Sequence, residues 1–253
     1  MNRGLQGVLV FTSVSIAIGC VAGSTGYYPR DGSADGTTTS DGGAKDGKAP
    51  SDATLSDTFV PPKIDASNCQ GSGLTGCTPQ SVCSFVPSPP PAAAKQPGVC
   101  TAQDVQTFYD ACIDPGNSTN CTNFTQTKAN CFKCLLTPDT SSAWGALIQD
   151  QNDLLKNNIA GCFSVKGNGS CEGAVASDQQ CTAAACPDTV CPVPSGDTTA
   201  LSLLNKCLTD SDASNCASYK AAAASCLTNP ACTGSDFRST YVVVATAICV
   251  NGF

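Results

Sequence analysis

The chain has 253 residues, of which 19 are cysteines and none is histidine, and its formal charge at pH 7 is −7. Without histidine there is no imidazole base, no Ser-His-Asp triad and no histidine metal site, which excludes several common classes of enzyme. The negative charge and the lack of basic clusters argue against nucleic-acid binding. So many cysteines indicate either metal ligation inside the cell or a disulfide framework in an exported protein.

The first segment favours export. Residues 1–19 begin with a basic residue, Arg3, continue through an apolar run at residues 8–18 and end in a glycine. This pattern is typical of a secretory signal peptide, and the apolar run is too short for a stable membrane span. The cysteines are therefore interpreted as a disulfide framework, and no metal site and no cofactor are predicted.

The end of this segment predicts a lipid anchor. Residues 17–20, Ala-Ile-Gly-Cys, resemble the bacterial lipobox, although leucine is commoner than alanine at its first position. Cys20 is therefore the predicted site of lipid attachment, with simple cleavage as the alternative. Removing Cys20 from the 19 cysteines leaves 18, an even number that suits complete pairing. In the lipobox pattern, Val21 rather than aspartate after the cysteine points to the outer membrane.

Residues 20–66 are predicted to form a lipidated, disordered tether. Their composition is dominated by Gly, Ser, Thr, Asp and Pro, so they bury too little apolar surface to offset the entropy of ordering. Asp31, Ser33 and Asp35 imitate the start of a calcium-binding loop, but Gly42 stands where a closing carboxylate is required. A solvated linker is the preferred interpretation.

Residues 67–100 are predicted to be a cysteine-rich segment with little regular structure, because its second half is rich in proline. Residues 71–76 fit the string G-x-G-x-x-G, but no strand precedes them, so a nucleotide site is not predicted. The loop between Cys83 and Cys100 exposes Lys95 in this interpretation. It is the basis of an alternative function, the inhibition of a protease.

The next segment, residues 101–166, is predicted to be a first helical unit. Thr101 and Asp104 have the spacing of a capping box, and apolar residues then recur at helical intervals. A second helical stripe spans residues 121–135, interrupted by a lysine, and a third is predicted over residues 144–162. All three are expected to bury one apolar face.

Residues 167–253 are predicted to be a second helical unit. A short helix is expected over residues 171–185, and Asp197 is placed to cap the next helix. Another helix is predicted over residues 216–226. The last segment, residues 237–250, is rich in β-branched residues but keeps helical spacing, so a helix is predicted there too.

Two decapeptides indicate that the units are related. CIDPGNSTNC, residues 112–121, and CLTDSDASNC, residues 207–216, are each followed ten residues later by a further cysteine. Each decapeptide is predicted to be the turn of a helical hairpin closed by a disulfide. The predicted bridges join the facing ends of paired helices: Cys112 to Cys121 and Cys100 to Cys131 in the first unit, and Cys207 to Cys216 and Cys191 to Cys226 in the second.

Two further points concern the cysteines. Cys131 and Cys134 have the spacing of a redox motif, but no thioredoxin-like setting surrounds them, so they are interpreted as structural. Nine cysteines fall between Cys69 and Cys162, and nine between Cys171 and Cys249. Because nine is odd, complete oxidation requires at least one bridge between the halves.

The lipobox-like start, the tether and the strings FYDAC, CFKCL and QCTAAACPDTVCPV resemble the cysteine-rich lipoproteins of myxobacteria. That family has no assigned activity, so the resemblance implies a location at the bacterial outer membrane or cell surface and an architecture, but no mechanism. It covers nearly the whole chain.

The sequence therefore predicts a mainly α protein: a small disulfide-stapled domain of two related helical-hairpin units, preceded by a disordered tether. Its predicted role is that of a surface-anchored, non-catalytic binding or structural lipoprotein with about nine disulfides. Its expected partners are the membrane, through the lipid, and an unidentified protein or glycan. An enzyme that uses aspartates alone is a further alternative.

Overall fold

The computed structural model of the protein describes residues 59–62, 76–114, 118–151, 154–194 and 197–250. The predicted signal peptide, Cys20, most of the tether and residues 71–75 lie outside these ranges. Within them the fold is mainly α-helical and its helices are joined by disulfides, as predicted. None of the helices in the described ranges combines the length and the apolarity needed to cross a bilayer.

Helix α1, Ala102–Phe108, begins at the predicted capping box. The Asp104 N–H donates to the Thr101 hydroxyl at 3.1 Å, and the Thr101 N–H donates to the Asp104 carboxylate at 2.9 Å. A π-helical turn, Tyr109–Ile113, continues the helix. The capping box therefore fixes where the first helix starts.

The second helical stripe folds as two helices, α2, Ser118–Thr127, and α3, Ala129–Leu135. They are separated at Lys128, whose backbone leaves the helical region with φ −126° and ψ 39°. This is the lysine that interrupts the apolar stripe in the sequence.

The prediction of a helix over residues 144–162 is wrong. Most of the segment is extended, and helix α4 begins only at residue 159. Short strands β1 and β3 pair in parallel, and a three-stranded sheet has the order β2-β4-β5 with β4 and β5 antiparallel. The elements here are β1 (Ala92–Ala93), β2 (Leu136–Pro138), β3 (Ala143–Trp144), β4 (Leu147–Gln149), β5 (Leu155–Asn157) and α4 (Ile159–Val165).

Two contacts explain why this segment is not a helix. The N–H of Ala146 donates to the Cys134 carbonyl at 3.0 Å, and a side chain at the intervening Gly145 would collide with that carbonyl. The turn after β4 is closed by Asp150, whose carboxylate accepts a hydrogen bond from the Leu154 N–H at 2.9 Å. Contact with α3 and turn chemistry therefore override the helical spacing of the apolar residues.

The remaining helices agree with the prediction. Asp197 caps its helix by accepting hydrogen bonds from the N–H groups of Thr199 and Ala200 at 3.0 and 2.9 Å. The β-branched last segment is helical and ends in a π-helical turn, Thr246–Val250. The four helices are α5 (Gly169–Ala185), α6 (Thr198–Asp212), α7 (Ala217–Leu227) and α8 (Phe237–Ala245).

The buried apolar residues form two cores that do not follow the predicted division between residues 166 and 167. The first core contains side chains of α1, α3 and α4 together with α8 and the turn after it. The second lies among α5, α6 and α7 and includes Val82. Phe59, which falls in the predicted tether, packs on the first core and against Gly173 of α5. Phe59 therefore belongs to the packed part of the chain.

Eight disulfides join the described cysteines, and Cys83 is disulfide-bonded as well. Both bridges predicted for the first unit are confirmed, with Cα separations of 5.0 Å for Cys100–Cys131 and 4.8 Å for Cys112–Cys121. The expected connection between the halves is also confirmed. It is made by three bridges: Cys77–Cys191, Cys134–Cys249 and Cys162–Cys232.

Both bridges predicted for the second unit are wrong. Helix α6 continues five residues past Cys207, so this cysteine lies within the helix and not at its end. Helix α5 packs against both α6 and α7, and its Cys171 and Cys181 take the places that Cys191 and Cys207 were predicted to fill. The observed bridges are Cys186–Cys207, Cys181–Cys216, Cys171–Cys226 and Cys77–Cys191.

The structural interpretation of Cys131 and Cys134 is confirmed. Cys131 pairs with Cys100 and Cys134 pairs with Cys249, so the two cysteines of the redox-like motif are not joined to each other. Both are buried in the first core. The motif therefore fixes α3 between two distant parts of the chain.

Candidate functional site

An open groove of about 450 Å³ lies between α1 and α2. Phe124 and Ala111 form part of its apolar floor, and both are buried. The other lining side chains include four neutral polar ones: Thr107, Asn120, Asn123 and Thr127. The groove lies within the size range of small-molecule sites, and its lining combines apolar surface with polar side chains.

The charged residues of this groove are paired. Lys128 lies 3.0 Å from the Asp104 carboxylate, and Arg238 of α8 donates to the Asp110 carboxylate at 2.6 Å. Burial opposes ionisation of Asp104, but hydrogen bonds from Thr101 and the contact with Lys128 outweigh it and hold the pKa of this carboxyl below its usual value. The groove is therefore polar but close to electrically balanced.

The walls of the groove are held covalently and by aromatic contact. The Cys112–Cys121 disulfide joins the end of the α1 turn to α2, and Cys100–Cys131 joins the start of α1 to α3. Behind the floor, the rings of Phe108 and Phe124 meet edge to face with centroids 5.6 Å apart. A ligand would therefore meet a preformed surface, which lowers the entropic cost of binding.

Asn120 and Asn123 lie one helical turn apart on the exposed face of α2. Within the described part of the chain, neither side-chain amide bonds to another protein group. Each amide offers two donor hydrogens and an acceptor oxygen. Two such amides on a rigid wall form a hydrogen-bonding surface that the fold itself does not use.

A second, smaller concavity of about 90 Å³ lies where α5 ends against α6 and the turn between β4 and β5. Cys186, Leu204 and Leu208 line its inner part, and Asp150 and Asp188 are among the charged groups around it. Its volume is well below that of an ordinary ligand pocket. It has room for only a few atoms.

A buried carboxyl group lies among α5, α6 and α7, apart from both concavities. Asp178 is 5% exposed, and its Oδ1 atom has no hydrogen-bond partner in the described structure. Burial raises the pKa of Asp178 to about 7, the negative charge of Asp212 adds to this effect, and Lys220 opposes it. Lys220 pairs with Asp212 at 3.1 Å, so neither charge is left for a ligand.

The loop that carries Lys95 is bound to the body of the protein. The N–H of Ala94 donates to the Trp144 carbonyl at 2.6 Å, and the N–H of Gln96 donates to the Ile248 carbonyl at 3.1 Å. The N–H of Lys95 itself donates to Ala93 at 2.7 Å, which bends the backbone at this point. The side chain is exposed, as predicted, but its backbone neighbours are already hydrogen-bonded.

The groove was not found from the sequence, although part of its signal is present there. Asn120, Asn123 and Thr127 follow one another at intervals of three and four residues, which places them on one helical face. That stripe is polar, and a polar stripe is normally a solvated surface. The concavity arises only because α1 packs beside α2.

Comparison with known proteins assigns no family to the chain. No known protein family, no curated protein and no solved structure matches it. The groove, its paired charges and the disulfide framework are therefore the observations on which a function has to rest.

Proposed function

We propose that the protein is an exported, lipid-anchored, non-catalytic binding module that holds a neutral, polyhydroxylated ligand, such as a glycan, in the groove between α1 and α2. The observation that carries this proposal is the pair of amides, Asn120 and Asn123, which have no protein partner in the described structure and stand on a disulfide-clamped wall. Amide groups both donate to and accept from hydroxyl groups.

The charge balance of the groove favours a neutral ligand. Asp104 and Asp110 are already paired with Lys128 and Arg238, so an ionic ligand would have to compete with these contacts. A ligand rich in hydroxyl groups requires no such exchange. Such a ligand is expected to bind the polar side chains of the groove through direct and water-mediated hydrogen bonds.

A protein partner has less support. Protein interfaces are usually centred on large apolar or aromatic side chains that are exposed before binding. In the described ranges the large exposed apolar side chains are Val60, Val86 and Leu203, and none of them lines the groove.

The test is binding to a panel of neutral oligosaccharides, measured with the full chain carrying Cys20→Ser to keep it soluble. The double variant Asn120→Ala, Asn123→Ala is expected to bind about tenfold or more weakly, because each lost hydrogen bond contributes about 0.5 to 1.5 kcal/mol. Asn130→Ala is the matched control, since Asn130 is exposed on α3 and does not line the groove. An equal loss of affinity in the double variant and in the Asn130→Ala control, or no binding to any neutral sugar, would refute the glycan proposal.

The anchoring part of the proposal predicts a change of location. Wild-type protein expressed in a bacterium that processes lipoproteins is expected to fractionate with membranes and to incorporate labelled fatty acid. The variant Cys20→Ser should be exported without the lipid and appear in the soluble fraction. A Cys20→Ser protein that still fractionates with membranes would contradict lipid anchoring, whatever the outcome of the sugar-binding test.

The alternative function, a protease inhibitor, has weaker support. Inhibitory loops are commonly extended, with free backbone groups that pair with the protease. The N–H groups of Ala94, Lys95 and Gln96 are all used inside the protein. A panel of serine and cysteine proteases separates the two functions, and inhibition that is lost in Lys95→Ala would favour the inhibitor.

A further inference from the structure

Two disulfides of the second core lie side by side. The Sγ atoms of Cys77, Cys191 and Cys207 all lie within 4.8 Å of one another, although Cys77 is bonded to Cys191 and Cys207 is bonded to Cys186. Four sulfur atoms are therefore gathered in one place, and only two of the possible bonds among them are present.

The local backbone brings the two bridges together. Cys186 and Cys191 belong to the same tight turn, in which the N–H groups of Val190 and Cys191 donate to the Pro187 carbonyl at 2.8 and 2.9 Å. Each end of this turn carries one bridge. The proximity of the bridges thus follows from a short covalent connection and is not an accident of side-chain rotation.

The four cysteines differ in their access to solvent. Cys186 is only 4% exposed, but it lines the cavity of about 90 Å³, which provides a path for the thiol end of a small molecule. Cys191 and Cys207 are 2% and 0% exposed, whereas Cys77 is only partly buried. One bridge is therefore reached through the cavity, and the other has one end near the surface.

We propose that these two bridges form a thiol–disulfide exchange relay for a small thiol. The thiolate of the incoming molecule attacks Cys186 Sγ, which forms a mixed disulfide and breaks the bond to Cys207. The Cys207 thiolate then attacks Cys191 Sγ, which forms a Cys191–Cys207 disulfide and releases the Cys77 thiolate. Exchange of this kind needs only a thiolate and an accessible disulfide sulfur.

The direction of the second step follows from the leaving group. Attack on Cys191 releases Cys77, whose thiolate is partly solvated, whereas attack on Cys77 would release Cys191 in a buried, apolar site. A thiolate that is better stabilised leaves faster. The relay therefore moves the free thiol from the cavity to the surface.

A second molecule of the small thiol completes the reaction. Its thiolate attacks the sulfur of the first small molecule in the mixed disulfide. The two small molecules leave as a disulfide-linked dimer, and Cys186 becomes a thiol. Two small thiols thus lose two electrons and two protons, which the protein gains as thiols at Cys77 and Cys186. The Cys191–Cys207 bond replaces the two original bridges.

The charges around the cavity indicate which thiol to use as a probe. Asp150, Asp188 and Lys156 line it, which gives two acidic groups and one basic group. A small cationic thiol such as cysteamine is therefore favoured over an anionic one. Its size suits the small volume.

The experiment treats the folded full chain, carrying Cys20→Ser, with limiting cysteamine, followed by acid quenching, alkylation and peptide mass spectrometry. The first products expected are a cysteamine adduct at Cys186, an alkylated Cys77 and a Cys191–Cys207 linkage. They should form at least about tenfold faster than thiols at the six other described bridges, because Cys186 lines a cavity and its bridge lies beside a second disulfide. An alkylated Cys207 beside an intact Cys77–Cys191 bridge would overturn the relay.

Two variants sharpen this test. Cys77→Ala combined with Cys191→Ala removes the acceptor bridge, so the alkylated residue should change from Cys77 to Cys207. Cys112→Ala combined with Cys121→Ala removes a bridge elsewhere and should leave the products unchanged. If the first variant does not fold, the products formed from the chain with all four cysteines still decide, and earlier reduction of any other described bridge refutes the proposal.

Discussion

Replacing Phe108 by alanine is expected to lower the free energy of unfolding by about 3 to 5 kcal/mol. The Phe108 side chain is 0% exposed, and its ring centroid lies 5.6 Å from that of Phe124, 5.8 Å from Phe132 and 6.0 Å from Tyr241. These partners belong to α2, α3 and α8, so the substitution leaves a cavity where four helices meet. Urea unfolding with the disulfides intact measures the change.

Phe85→Ala is the control for this prediction. Phe85 is only half-buried and, within the described ranges, has one aromatic partner, Tyr219, at a centroid distance of 5.6 Å. Its removal leaves a site open to water, so the expected loss is less than half of that for Phe108→Ala. If Phe85→Ala is the more damaging of the two, the first core does not depend on Phe108 as described.

Replacing Asp178 by asparagine is expected to stabilise the protein at pH 7.5 by about 4 kcal/mol and to have little effect near pH 4. Burial, reinforced by Asp212 and opposed by Lys220, raises the pKa of Asp178 from 3.8 to about 7 in the folded protein. The folded state therefore binds more protons than the unfolded state between these two values. Stability accordingly falls as the pH rises through this window, and the neutral amide removes that fall.

The measurement compares urea unfolding of Asp178→Asn and wild type at pH 4, 6 and 7.5. The difference between the two proteins is used because other carboxyl groups, such as Asp104, have a lowered pKa and act in the opposite direction. Asp210→Asn is the control, since Asp210 forms an exposed ion pair with Lys206 and its loss should change the free energy of unfolding by less than about 1 kcal/mol. A difference that stays constant from pH 4 to 7.5 would contradict the raised pKa.

The parts of the fold that the sequence predicted correctly depend on neighbouring residues. The capping groups Thr101 and Asp197 act on N–H groups two or three residues away, so their effect is visible in the sequence. The Cys112–Cys121 bridge closes a span of 9 residues and follows from the hairpin turn alone. Interactions between residues close together in the sequence therefore determine these features.

The parts that failed depend on distant contacts. Apolar residues between Trp144 and Ile159 suit a helix as well as a strand, and the choice is made by the fit of Gly145 against Cys134. The bridges of the second unit depend on the position of α5, which packs across α6 and α7. No spacing of cysteines along the chain contains that information.

Part of the candidate site can likewise be predicted from the sequence, and part of it depends on distant contacts. The polar stripe of α2, including Asn120 and Asn123, is readable in the sequence, but a groove exists only where α1 packs beside it. The cluster formed by Cys77, Cys191 and Cys207 was not found either. Its members are separated by 114 residues between Cys77 and Cys191, so only the folded chain brings them together.

The Cys134–Cys249 bridge has a consequence for biosynthesis. A chain emerges from the ribosome or a translocation channel with its N-terminal end first, so Cys134 appears 115 residues before its partner. Among the eight described bridges, Cys112–Cys121 alone joins two successive cysteines. Oxidation in order of emergence would thus produce mostly incorrect pairs, and the native pattern requires either delayed oxidation or repeated reshuffling by a disulfide isomerase.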